Sequence, residues 1–479
     1  MYNFALRDYQ EAAQIYINKE LNSNFNPLTV MSCGTGKSKV IAAVCADRIS
    51  LKERVLVIAP QDVLFEQLFI ELEFLNAGYI NSDGVIGRDR NVYVAMPYSL
   101  KNILEIIPEK FCKSFSTIII DETQFVSADT WRTIIKHFSH CNIAGLTATP
   151  YRLDNQNLGE FYDSMFEPIK KSEAIKRGFL TKSILVVPEI FKDLAKNRDE
   201  KKIESILKDK KIIGDVVKTY NDLLCGRPVI VPCRTKKFAK EIIEMFERAG
   251  WNAVLIEGSH SLRERIEIIK KVKSGKINQL VTCGVGIYGM DIPELAGIIW
   301  MELTESITKY DQLNGRPARP FAGKKYSFVI DPCGNFLIHG HPDVDRDWSI
   351  EKDYVSLLDD EEKIKMKLCP NCKNANSLLN NNCNFCGFDF SIELEKENAK
   401  TPDIISENMV ISEPTEFLKD VENFIFENRI NQKLKNEKLK DEETEIKKNI
   451  TQEEKLKLLN GSLMNNRRGI FFENAKKFL

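Results

Sequence analysis

This chain has no apolar run approaching the roughly 20 residues that a membrane span requires. Its opening residues, Met-Tyr-Asn-Phe-Ala-Leu-Arg-Asp, lack the basic-then-apolar pattern of a secretory signal. Both absences lead to the expectation of a cytoplasmic protein with no membrane partner. Net charge is nearly absent too, at −1, so a bulk positive field is excluded as the means of holding nucleic acid. Such binding would have to use a local basic channel and backbone hydrogen bonds. The 12 cysteines are spread through apolar runs, apart from one tight cluster. That distribution argues against a disulfide scaffold and for a reducing compartment with a bound metal.

What is present is a regular alternation. At 479 residues, 43% hydrophobic and 29% charged, the chain suits two or three domains, each with its own core. Short β-branched runs at 54–60, 91–97, 116–122 and 143–150 predict buried parallel strands that end in polar loops. A second series follows at 228–234, 252–258, 278–284, 296–302 and 326–332, separated by helix-like segments such as KKFAKEIIEMFERAG. The expected architecture is α/β, with two tandem lobes at 1–165 and 228–350 and a connecting helical segment at 166–227. A small ribbon at 365–392 and a charged, helical or partly disordered tail at 393–479 complete it.

Three motifs carry chemistry. In SCGTGKS at 32–38, Gly34, Thr35 and Gly36 form a tight turn that aims backbone N–H groups at phosphates. Lys37 would reach the β and γ phosphates and Ser38 would hold magnesium. Met31 stands where the broad pattern has its first glycine. In DETQ at 121–124, Asp121 can bind magnesium and Glu122 can orient and deprotonate the attacking water. In QLNGRPARP at 312–320, Gln312, Arg316 and Arg319 supply groups from the other half of the chain. Arginines there can meet the nucleotide only if two lobes close on it, so hydrolysis becomes lobe movement. Arg319 is the better candidate for that finger, and Arg316 has the alternative of a structural ion pair.

The cysteine cluster has the spacing C-x2-C-x10-C-x2-C, formed by Cys369, Cys372, Cys383 and Cys386. Two such knuckles bring four thiolates to tetrahedral reach around zinc. Fully sulfur-ligated, this metal would be structural, and the ribbon would grip nucleic acid or a partner. His339, His341 and Asp343 could suggest a second metal site, but a packed loop is the stronger reading. The aromatic stretch at 421–428 has the spacing of a buried helix face. A nuclease reading of Asp403 with Glu416 lacks a placed lysine and is set aside.

The order of these motifs resembles the superfamily 2 helicases of the DEAD/DEAH type over residues 4–335. LRDYQ at 6–10 resembles the adenine-recognition element, which implies that Gln10, with Arg7, reads the base. The segments 59–67 and 95–100 resemble backbone-contacting motifs, implying nucleic-acid contacts at Pro60, Gln67 and Ser99. GLTATPYR at 145–152 resembles the coupling motif, with Thr147 and Thr149 in that role. Thr235 and Thr282 match nucleic-acid positions of the second lobe, and Gly289 and Asp291 match nucleotide-side positions. Gln124 departs from the usual His or Asp and loses titration and charge, which puts ordinary coupling in doubt. With the C-terminal ribbon, the chain resembles the bacterial RadD-like DNA repair helicases. That resemblance implies RecA-like lobes, ATP, magnesium and zinc, and action on single-stranded or branched DNA. It also points to single-stranded-DNA-binding or recombination proteins as partners. An RNA-directed remodeller and an ATP-gated clamp without processive unwinding are the alternatives.

Overall fold

The computed structural model describes residues 4–87, 89–125, 128–188, 210–284 and 291–355, with 366–368, 375–377, 388–389, 409–411 and Phe424. Residues 1–425 make one compact unit, and 426–479 form a second that lies outside the described residues.

The first lobe is a sheet of β1 (Pro27–Val30), β2 (Val55–Ile58), β3 (Gly78–Asn81), β4 (Gly84–Ile86), β5 (Val92–Ala95), β6 (Thr117–Asp121), β7 (Asn142–Thr147) and β8 (Ser164–Phe166). Their order is β4-β3-β5-β2-β6-β7-β1-β8. All pairs are parallel except the β3–β4 hairpin at the edge. Every residue of β1, β2, β5 and β6 is buried, because apolar clusters cover both faces of the sheet. Two-sided burial is why these strands read as unbroken apolar runs rather than alternating ones.

The second lobe contains β9 (Lys182–Pro188), β10 (Val229–Cys233), β11 (Ala253–Ile256), β12 (Gln279–Cys283), β13 (Gly297–Ile299) and β14 (Tyr326–Ile330). β15 (Met366–Leu368) and β16 (Ala375–Ser377) pair antiparallel as a separate two-stranded sheet, and β17 (Met409–Ile411) joins the sheet of the second lobe. The sheet order is β11-β12-β10-β13-β14-β9-β17, with β17 antiparallel to β9. Two parallel-stranded lobes of this kind are the expected RecA-like pair.

The boundaries differ from expectation in two places. The segment 166–227, expected as a helical connection, contributes β9 to the second sheet, where Ile184 pairs with Phe328 and Val186 with Ile330. Ile184, Leu185, Val186 and Val187 are at most 2% exposed, and burying that apolar run outweighs any local helical tendency. The tail, expected as charged and helical or partly disordered from 393, places β17 on this sheet and Phe424 in the lobe core, edge-on to Tyr326 at 5.3 Å. Cys369, Cys372, Cys383 and Cys386, the expected zinc ligands, lie outside the described residues.

Up to residue 355 the chain crosses between the lobes twice. After the first passage near Thr181, residues 341–355 run back from the second lobe onto the first. Arg346 forks onto Asp311 at 2.6 and 2.8 Å. Asp345 accepts from Ser172 N at 2.8 Å, Lys171 donates to Pro342 O at 2.5 Å, and Trp348 and Ile350 pack on a first-lobe core cluster. His339 is buried beside this strap, its Nε2–H donating to Thr304 O at 2.8 Å. His341 accepts from Asp343 N at 3.1 Å. These are structural contacts, and among the described residues no cluster of metal-ligating side chains is found.

Candidate active site

The site begins where β1 stops. Between Val30 and the helix α2 (Lys37–Ser50; α1 is Asp8–Asn22), Gly34 and Gly36 adopt φ of +85° and +88°, which side-chain-bearing residues rarely tolerate. Gly36 has a second constraint: a Cβ there would run into the Gln10 side chain. Gln10 Nε2 donates to Thr35 O at 2.9 Å, and Tyr9 OH donates to the same carbonyl at 2.8 Å. The Gln10 Oε1 in turn accepts from Arg7 N at 2.9 Å, so α1 is tied by its first turn to the phosphate loop. Arg7 lies over the Phe179 ring at 4.3 Å, with Arg177 at 4.7 Å from the same ring. Arg177 and Phe179 were missed by sequence reasoning, and only the aromatic-basic string KRGF hinted at them.

Lys37 and Glu122 form a buried ion pair at 3.1 Å, and Lys37 also reaches Met31 O at 3.3 Å. Burial pushes the Glu122 carboxyl up, but the Lys37 charge and the hydrogen bonds from Gln124 and Lys37 outweigh it and hold it below its ordinary value. Burial and the Glu122 charge push the neighbouring Asp121 up. Asp121 ends β6 and its Oδ1 accepts from Glu122 N at 3.0 Å. Glu122 itself has φ of +45°, a strained conformation that turns its side chain off the strand line.

Glu122 Oε2 collects donors from both halves of the chain. Gln124 Nε2 lies at 2.8 Å and Gln312 Nε2, from the helix Ile307–Gly315 of the second lobe, at 3.2 Å. Gln124 continues to Thr147, whose hydroxyl is 2.5 Å from Gln124 Oε1 and 2.6 Å from Thr149 O. Arg316 is buried, and its charge helps lower the Glu122 pKa. Arg319 pairs with Asp291, and its Cγ lies where a Cβ on Gly34 would be only 3.1 Å away. The structure thus brings Lys37, Asp121, Glu122, Gln124, Thr147, Thr149, Gln312, Arg316 and Arg319 to one interface. Gly289 lies outside the described residues.

The donor set suits a nucleotide with a hard cation. Ser38 in the first turn of α2 and Asp121 at the end of β6 offer a hydroxyl and a carboxylate, the oxygen ligands magnesium takes. Thr149 Oγ1 and Gln312 Oε1 are buried without a hydrogen-bond partner among the described residues, as polar atoms awaiting a ligand or its water would be. Pro60 and Ser99 lie just past β2 and β5, Gln67 on the helix Asp62–Glu71, and Thr235 and Thr282 at the carboxyl ends of β10 and β12. Thr235 caps the helix Lys236–Arg248 by accepting from Phe238 N, and Thr282 is 4% exposed. These five are spread over both lobes rather than gathered with the phosphate loop.

Residues 3–152 match the family "Type III restriction enzyme, res subunit", and residues 214–320 match "Helicase conserved C-terminal domain". A 51.5 kDa protein of Lactococcus phage (isolate 7-9) is 27% identical over 377 residues, covering 77% of this chain and 79% of its own length. The mitochondrial ATP-dependent helicase irc3 of Schizosaccharomyces pombe is 25% identical over 257 residues, 51% of this chain, which spans 42% of that protein. A fragment of an HsdR subunit of a type I restriction enzyme from Vibrio vulnificus YJ016 shares the fold, with a TM-score of 0.55 at 20% identity over 70% of this chain and 65% of its own. With both helicase domains in order and the two RecA-like lobes meeting at the phosphate loop, the chain belongs to superfamily 2 of the helicases and is an ATP-hydrolysing helicase.

Proposed function

We propose that this helicase couples ATP hydrolysis to movement on DNA, acting on single-stranded or branched DNA in repair or recombination. The observation that carries the coupling is the hydrogen bond from Gln312 to Glu122. A second-lobe amide holds the carboxylate that would activate water, so the water-activating geometry exists only while the lobes meet. In this reading Lys37 compensates phosphate charge, Ser38 and Asp121 hold magnesium, and Arg316 and Arg319 neutralise charge on the transferring phosphoryl group. Magnesium, when bound, supplies electrostatic stabilisation of the β and γ oxygens. Gln10 and Arg7 face the base, with Asp291 holding Arg319. Gln124, Thr147 and Thr149 form the relay by which the first lobe registers the state of Glu122.

DNA is favoured over RNA because the first lobe matches a restriction-enzyme family. Pro60, Gln67, Ser99, Thr235 and Thr282 would contact mainly sugar and phosphate. Zinc on Cys369, Cys372, Cys383 and Cys386 would fold the ribbon as a separate grip on DNA or a partner protein. The test is steady-state ATPase with single-stranded DNA, duplex DNA, forked DNA and RNA, together with strand displacement. Stimulation by single-stranded or forked DNA above RNA supports the reading. Equal or greater stimulation by RNA, or no stimulation by any DNA, would sink it.

A further inference from the structure

Lys324 lies in the turn that leads from Arg319 to β14, and it is 7% exposed. Its Nζ donates to Pro293 O at 2.7 Å, Leu295 O at 3.0 Å and Pro317 O at 2.9 Å. The three protons of an ammonium therefore meet three carbonyls. Two of these belong to the segment that follows Asp291, and the third lies two residues before Arg319. Asp291 and Arg319 are themselves ion-paired. One buried cation thus ties together the two stretches of backbone from which that pair projects.

Resting on the reading that Arg319 meets the nucleotide, we infer that Lys324 is the positioning residue for Arg319, stapling the 291–295 segment to the 316–319 turn so that the guanidinium is carried over Gly34. Arg319 has no helix of its own to fix it, since the helix that bears Gln312 ends at Gly315. Its direction depends on how the following turn is held. A side chain acting this way changes turnover more than ATP affinity, because it shapes a contact made as phosphoryl charge develops.

The charged groups facing Lys324 also make the staple titratable. Burial, followed by the Arg227 and Arg319 charges, pushes its pKa down to about 7, while the Glu294 carboxylate opposes them. Once neutral, the amine has two protons for three carbonyls, and its lone pair confronts the third. Turnover should then decline as pH rises through that range, with ATP still bound.

The experiment is steady-state ATPase of the full chain with saturating nucleic acid, read as kcat and KM for ATP between about pH 6 and 9. The proteins compared are wild type, Lys324→Met, Glu294→Gln and Arg319→Ala, with folding followed by circular dichroism. Lys324→Met should lose about tenfold or more in kcat with KM changed less than about twofold, and should lack the alkaline decline. Glu294→Gln should shift that decline to lower pH. If Lys324→Met does not fold, the Glu294→Gln shift decides alone, and an unshifted profile overturns the inference. A folded Lys324→Met with wild-type kcat, beside an impaired Arg319→Ala, overturns the role of Lys324 and leaves that of Arg319. Wild-type turnover in Arg319→Ala overturns both.

Discussion

Gly315 touches Cys33 across the lobe interface: a Cβ added to Gly315 would lie 2.7 Å from the Cys33 Cβ of the phosphate loop. That separation is below any ordinary carbon contact. Gly315→Ala should therefore wedge the lobes apart at the point where Gln312 reaches Glu122, and nucleic-acid-stimulated ATPase should fall by about tenfold or more while each lobe stays folded. Wild-type stimulated turnover in Gly315→Ala would show that the lobes work at a wider spacing.

Lys37→Ala and Glu122→Gln should both abolish turnover, for different reasons. Removing Lys37 strips the phosphate site of its charge and leaves Glu122 buried without its ion-pair partner, so ATP binding weakens. Glu122→Gln leaves Ser38 and Asp121 in place but removes the base, so kcat falls by at least about 100-fold while ATP binds and persists. Equilibrium binding of a fluorescent ATP analogue, with single-turnover hydrolysis, separates the two. Near-wild-type turnover in either variant contradicts the assignment.

His339 predicts a specific acid sensitivity. Burial pushes its pKa down to about 3, against about 6.5 in an unfolded chain. Below about pH 6.5 the unfolded state binds the extra proton, so stability is fully present above that pH and drains away as pH falls towards about 3. The slope is at most about 1.4 kcal/mol per pH unit for this one residue. His339→Gln should be less stable at neutral pH, yet lose less between about pH 6.5 and 5 than wild type. Urea midpoints measured across that range check the sign, and parallel pH profiles would exclude His339 as the cause.

The cysteine ribbon should be separable from the motor. Cys383→Ser together with Cys386→Ser should remove bound zinc and lower DNA stimulation or partner recruitment, with basal ATPase retained. Elemental analysis that finds no zinc in the wild-type protein rejects the ribbon, and loss of basal hydrolysis in otherwise folded lobes rejects its independence.

The residues that sequence placed best are those whose chemistry is local. Lys37 and Ser38 follow a glycine turn, Glu122 follows a strand of isoleucines, and Gln312 and Arg316 share a four-residue spacing, so each announces itself without its partner. Arg177, Phe179, Lys324 and Arg346 gave no such signal. Lys324 is defined by carbonyls 29 and 31 residues away, and Arg346 by Asp311 at 35, and no periodicity encodes a contact of that range. β9 was missed for a related reason: an apolar run of four is too short to reveal its sheet, and its neighbours β14 and β17, far along the chain, fix it as a strand. Conversely, the departure at Gln124 was visible in sequence. What the structure adds is its double engagement, with Glu122 on one side and Thr147 on the other.

The return of residues 341–355 to the first lobe changes the mechanics of any stroke. A body hung from one flexible tether can tumble about several axes, whereas one pinned at two separate places retains chiefly the rotation about the line through its pins. Here the pins lie near Thr181 and in the Asp345–Ser172 and Trp348 contacts. The second lobe is therefore constrained to swing like a door on two hinges. Because β17 and Phe424 return to the second lobe, load applied to the chain beyond Phe424 would be borne by the door instead of the frame.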